Sequence, residues 1–194
     1  MLLEQLIHPQ QVYSRKEVLS KDCPVPKESG LYSWFFKNIP SKVPISNCIN
    51  YKNLKLLYIG IAPRKPTEEG KKSKQTLRNR IRKHYRGNAY GSTLRLTLGC
   101  LLSEKIDIEL RRVGSGKRMT FTKSGEEKLS KWMEENAFVI WEIHPEPWKL
   151  EPIALTTLSL PLNIRGNEHH PFYSDLSIIR KEAKIRARKL KIVS

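Results

Sequence analysis

The chain predicts an α+β fold, and three observations support this. Short apolar runs of strand character stand at 30–36, 54–62 and 138–143. Segments with helical apolar spacing lie between and after them. The two kinds do not alternate regularly, as a βαβ architecture would require. At 194 residues the chain is most economically one domain, 1–194, long enough to bury a core.

The elements follow in order. Residues 1–29 are a mixed lead-in, with "DCPVPKESG" extended and closing in a turn. "GLYSWFF" is the first strand, and "KNIPSKVPISNCINYKN" is a long, proline-containing loop. "LKLLYIGIA" is the second strand, bounded by Pro63. A polar, basic loop, "PRKPTEEGKKSKQ", leads to Thr76, where helical signals begin. Leu77, Ile81 and Tyr85 are spaced by four, and Gly87 is the stop. "GSTLRLTLGCLL" reads as a helix capped by Ser92. "IDIELRRVG" alternates like a strand, with Ile106, Ile108 and Leu110 on one face and "RMTFTK" as hairpin partner. In "SGEEKLSKWMEENA" Ser124 and Glu127 suggest a capping box, so a helix is expected. "FVIWEI" is a strand, "PWKLEPIALTTLSL" a helix with proline near its start, "PLNIRGNEHHPF" a loop, and "LSIIRKEAKIRARKL" a basic terminal helix, about 175–191.

Composition sets the class of partner. The net charge is +17, from 36 Lys/Arg against 19 Asp/Glu. It is concentrated: 64–118 holds 16 Lys/Arg against 5 Asp/Glu, 180–191 holds 7 against 1, and the remainder is neutral. Such clustering is the electrostatic footprint of a polyanion binder. Cys23, Cys48 and Cys100 are isolated and odd in number, which argues against a disulfide framework or a zinc ribbon. No apolar run approaches the ~20 residues of a membrane span, and "MLLEQLIHPQ" does not read as a signal peptide, so a cytoplasmic setting is expected.

The helix after Thr76 carries candidate chemistry. Arg80 and His84 are four apart, one turn above each other, beside the Leu77/Ile81 stripe. Both can rim a cleft next to the core. Arg78, Arg82, Lys83 and Arg86 fill other faces and could follow a phosphate backbone.

"GLY" on one strand, "YIG" on the next and "LRNRIRKHY" opening a helix together resemble the GIY-YIG nuclease family, closest in pattern to small bacterial single-domain or restriction-type members. The resemblance runs from Gly30 to Asn163 and implies a small, mostly antiparallel central sheet flanked by helices, with a catalytic core of about 30–165. It implies a metal-dependent endonuclease acting on DNA, double-stranded by preference, in a restriction or defence role, working as a homodimer or by two visits. The alternatives are a structure-specific repair or recombination nuclease of the same fold, or a non-enzymatic nucleic-acid-binding protein. By resemblance, Tyr32 is the base for the attacking water, assisted by His84, and Tyr58 orients that water or the phosphate. Arg80 stabilises phosphate charge, Glu151 holds one Mg²⁺ (or Mn²⁺) ion, and Asn163 orders the site. A tyrosine of pKa about 10 is a poor base near neutrality, so a neighbouring cation or imidazole must lower it or take its proton onward. Gly60 is expected to admit the substrate backbone; Lys71, Lys72 and Lys74 in the loop, and Arg186, Arg188 and Lys189 in the last helix, are expected to add DNA contacts.

Some residues compete or depart from the pattern. Glu142 and Glu146 are rival carboxylates, and Glu151 is preferred for its distance to Asn163. His169 and His170 have no third metal ligand in register. Ile61 stands where some repair members of the family carry a lysine, so Lys65 or its loop neighbours would have to supply that cation.

Overall fold

The two apolar runs that bracket the first long loop pair with each other. In the computed structural model, which describes residues 3–71 and 73–193, strand β1 is Gly30–Phe36 and lies antiparallel to β3, Leu54–Ala62. A two-residue strand, β2 (Asn50–Tyr51), pairs with β3, and β6 (Ala137–Ile143) pairs with the other edge of β1. The sheet order is β2-β3-β1-β6, antiparallel throughout. Gly30 is required where it stands, because a Cβ there would run into the Glu142 carbonyl of β6.

Alternation gives the sheet two apolar faces. One buries Tyr32, Trp34, Phe36 and Tyr58 beneath α3 (Leu77–Arg86), α4 (Thr93–Leu102), α5 (Thr122–Asn136) and α7 (Tyr173–Lys189). The other buries Leu31, Phe35, Leu56 and Ile59 under α6 (Pro147–Thr157) and the short α1 (Glu4–Ile7). The β1–β3 register shifts between Trp34 and Phe35. Leu57 is the extra residue, and the bulge turns Tyr58 onto the same face as Tyr32.

Several boundaries differ from expectation for identifiable reasons. The lead-in carries α1 and also α2 (Arg15–Leu19), whose Ser14 and Glu17 form a reciprocal capping box. The expected strand at 106–113 shrinks to β4 (Arg111–Val113), paired with β5 (Arg118–Thr120). The partner strand supplies only three rungs, so Ile108 and Leu110 bury their side chains from unpaired chain. The capping box expected at Ser124 and Glu127 is not made. α5 starts earlier, with Glu126 reaching back to accept from the Phe121 amide at 3.2 Å. α6 ends at Thr157, because residues beyond it run beside the free edge of β3, where the Leu162 amide donates to the Leu57 carbonyl.

Candidate active site

α3 is fastened at its start. Thr76 caps it by accepting from the Asn79 amide, and the Leu77 and Arg78 amides donate to the Glu28 and Pro26 carbonyls. Leu77, Ile81 and Tyr85 are fully buried, and the Tyr85 hydroxyl donates to the Ala137 carbonyl at 2.7 Å. That stripe sets the rotation of the helix, which turns His84 into the core against Trp34, Tyr32 and Tyr58 and leaves Arg80 half-buried.

His84 is the hub. Its Nε2 lies 2.9 Å from the Tyr32 hydroxyl and its Nδ1 2.7 Å from Ser92 Oγ. Ser92 is also the N-cap of α4, accepting from the Arg95 amide at 3.1 Å. Arg80 Nε donates toward the Tyr32 oxygen at 3.4 Å, and its Nη1 donates to the Gly91 carbonyl at 3.2 Å. With the Tyr32 oxygen accepting from Arg80, the phenol's own proton is directed to His84 Nε2, and His84 Nδ1–H is directed to Ser92. These hydrogens are assigned from the network.

Burial dominates the electrostatics. It holds the Tyr32 phenol above its ordinary pKa even though Arg80 pulls it down. The lowering expected from Arg80 is therefore outweighed, and Tyr32 rests as a neutral phenol. Tyr58 is pushed up by burial and then by Tyr32. His84 is held well below 6.5 by burial, with Arg80, Arg95 and Lys83 adding to the effect. Its resting state is neutral imidazole, able to accept a proton at Nε2.

Glu151 lies on the sheet-facing flank of α6, one turn on from the buried Pro147, and its charge bears on both phenols. Burial raises its pKa, with Arg165 opposing, and no ion pair among the described residues includes it. Among the described residues no group of three His, Cys, Asp or Glu could hold a metal ion. A lone, partly desolvated carboxylate suits a hard divalent ion that keeps waters and takes its remaining ligands from phosphate oxygens. The rival acids are otherwise placed. Glu142, paired in register with Leu31 on the edge strand β6, is not among the charges that bear on the two phenols, and Glu146 binds Lys149.

Asn163 clamps the YIG strand. Its Oδ1 accepts from the Ile59 amide at 3.0 Å, and its Nδ2 donates to the Ile59 carbonyl at 2.7 Å. Ile59 sits between Tyr58 and Gly60, so both ends of the motif are held by one side chain.

Several expected nucleic-acid contacts have other uses. A Cβ on Gly60 would collide with the Tyr32 hydroxyl and ring, so this glycine makes room for Tyr32. Arg78 donates to the Val25 carbonyl at 2.6 Å and Arg82 to the Leu19 carbonyl at 3.4 Å, which ties α3 to the lead-in. Lys71, Lys74, Lys83, Arg86, Arg186, Arg188 and Lys189 are exposed, whereas Lys72 lies outside the described residues. His169 and His170 bond to the Leu155 carbonyl and to Ser159. Lys65 lines a cavity of about 540 Å³ with Glu146 and Trp148, beside the start of α6.

Two participants escaped the sequence reading. Ser92 read only as a cap, yet it also holds His84. Arg180 on α7 has a charge that bears on Tyr58; its spacing of four from Leu176 and three from Ala183 was the signal.

A family model described as the GIY-YIG catalytic domain matches residues 30–182. No curated protein and no solved structure matches the chain. The matched span opens on the first residue of β1, takes in both phenols, Arg80, His84, Glu151 and Asn163, and ends inside α7. The chain belongs to the GIY-YIG nuclease superfamily.

Proposed function

We propose that this nuclease is a divalent-metal-dependent DNA endonuclease, acting on double-stranded DNA in a restriction or defence role. The observation that carries the chemistry is the Tyr32–His84 hydrogen bond, with Arg80 on the same phenol oxygen and the Glu151 charge close by. The +17 net charge and the exposed basic residues of α3 and α7 favour a nucleic-acid substrate.

In this reading a phosphodiester oxygen replaces the Gly91 carbonyl as acceptor for Arg80, which brings the scissile phosphorus beside Tyr58. Water gives a proton to the Tyr32 oxygen as Tyr32 passes its own to His84 Nε2. The resulting hydroxide forms the new P–O bond while the bond to the 3′ oxygen breaks; the departing 3′ alkoxide takes a proton from solvent water, and His84 gives its proton back to solvent through Tyr32. The imidazolium formed is helped by the negative phosphate, which works against the depression caused by burial and by Arg80. Glu151 would hold the divalent ion, Mg²⁺ or Mn²⁺, which when bound supplies positive charge to the leaving oxygen. Asn163 keeps Tyr58 in place through Ile59. One such site cuts one strand, so a double-strand break calls for two copies or two visits. A cytoplasmic setting goes with this reading.

Plasmid nicking with Mg²⁺ against an EDTA control tests it. Glu151→Ala is expected to abolish nicking and leave DNA binding nearly intact. Equal nicking by wild type and variant would assign the activity elsewhere.

A further inference from the structure

α7 presents two faces with different chemistry. Arg186, Arg188 and Lys189 are exposed toward its end. Its inward stripe is Leu176, Ala183 and Ala187, all buried, and Arg180 completes that stripe at helical spacing. One guanidinium therefore lies on a face that otherwise buries small apolar side chains against α4.

That guanidinium has no counter-charge among the described residues. Its Nη1 is shut from solvent and, among the described residues, has no hydrogen-bond partner and no ion pair. The titratable groups whose charges bear on it are Cys100 on α4 and Tyr58 on β3. Burial pushes the Cys100 thiol up to about 11 and raises Tyr58 as well, so both are neutral near pH 7. A partly buried cation with no anion beside it is costly, and an anion arriving from outside would offset that cost. Tyr58 is the phenol beside which the scissile phosphate would lie, and the planar guanidinium fits phosphate oxygens in a forked geometry.

We propose that Arg180, on the inward stripe of α7, is a second phosphate-binding guanidinium of the active site, so that Arg80 and Arg180 grip the same substrate backbone from two helices. This rests on the reading of the chain as a DNA endonuclease. The C-terminal helix then belongs to the site itself, in addition to adding positive surface.

The test uses Arg180→Met and Arg180→Lys in the full chain. A short labelled duplex in EDTA reports binding across a salt titration, plasmid with Mg²⁺ reports nicking, and thermal unfolding reports stability. Arg180→Met is expected to unfold at or above the wild-type temperature, because an apolar chain of similar length replaces an unpaired charge. Its salt slope is expected to fall by about one, the loss of one phosphate contact. Its nicking rate is expected to fall ~100-fold, as when a charge-stabilising donor is removed, with Arg180→Lys intermediate. An unchanged salt slope with nicking within about twofold of wild type would overturn the proposal, as would a loss of activity matched by loss of folded protein. If wild type binds the duplex but no divalent ion supports nicking, the endonuclease reading fails and the salt slope still decides the role of Arg180.

Discussion

The Tyr32 hydroxyl and His84 Nε2 lie 2.9 Å apart, both within the buried core. A buried phenol and a buried imidazole each need a partner, and here each is the other's. The pair joins β1 to α3, so the strand motif and the helix motif meet in one hydrogen bond. His84→Gln keeps a polar group but cannot accept a proton to form a cation. It is expected to lower the nicking rate about 10²–10⁴-fold while DNA binding, measured by anisotropy, changes little.

The same burial gives a pH signature. Below about pH 6.5 the unfolded chain protonates this histidine and the folded chain, whose His84 pKa is held well below that value, does not. The unfolded state then binds more protons, so stability falls as pH drops through this window and is fully present above it. The slope from one such group approaches about 1.4 kcal/mol per pH unit. His170 is also lowered by burial, so the informative quantity is a difference. Urea unfolding of wild type should lose more stability than His84→Gln between pH 7.5 and pH 5.5, values set for the assay at roughly one unit either side of the free imidazole pKa. Parallel losses would mean that His84 protonates freely in the folded state.

Ser92 serves both as the cap of α4 and as the partner of His84 Nδ1. Ser92→Ala removes both functions, with a capping cost of about 1 kcal/mol. The imidazole is also left free to rotate or change tautomer. Nicking is expected to fall by more than the stability change explains, and Ser92→Thr should restore both. If Ser92→Ala loses stability but nicks at the wild-type rate, the His84 orientation does not depend on it.

How much of this was legible follows from which forces are local. β1 and β3 match the two apolar runs residue for residue, because mostly apolar stretches bounded by loop residues leave little freedom in where a buried strand begins. Thr76, Gly87 and Ser92 act where they were expected, since capping is a short-range hydrogen-bonding problem. The backbone partners of Arg78 and Arg82 were not legible. Their spacing marks them as outside the apolar stripe, and only the folded lead-in shows that carbonyls of Val25 and Leu19 wait there. The bulge at Leu57 and the unpaired charge of Arg180 depend likewise on segments distant in sequence.

Asn163 satisfies both backbone groups of Ile59 on the β3 edge that β2, paired only with Leu54 and Lys55, leaves open at that point. Asn163→Ala leaves a buried N–H and a buried carbonyl without partners, at a cost of roughly 1–3 kcal/mol each. A markedly lower unfolding temperature is expected, together with impaired nicking, because Tyr58 precedes Ile59. Asn163→Asp keeps an acceptor but loses the donor and buries a carboxylate, so it should not rescue. Wild-type stability in either variant would contradict the clamp.

Gly60 and Tyr32 face each other across the β1–β3 register, and the tyrosine ring fills the space a side chain at 60 would need. Gly60→Ala therefore forces either the strands apart or Tyr32 away from His84. Overpacking of this kind costs typically 1–3 kcal/mol, and the lost alignment should lower nicking more than DNA binding. Tyr32→Leu alone is expected to abolish nicking by removing the hydroxyl. Combining the two changes separates steric from chemical effects: with the ring gone, the added methyl has room. The double variant should be more stable than the two single losses added together predict, a favourable coupling of at least about 0.5 kcal/mol by urea unfolding, while remaining inactive. Strictly additive losses would mean that the methyl at position 60 meets something other than the tyrosine, and that the glycine of the second motif serves a purpose apart from seating the phenol of the first.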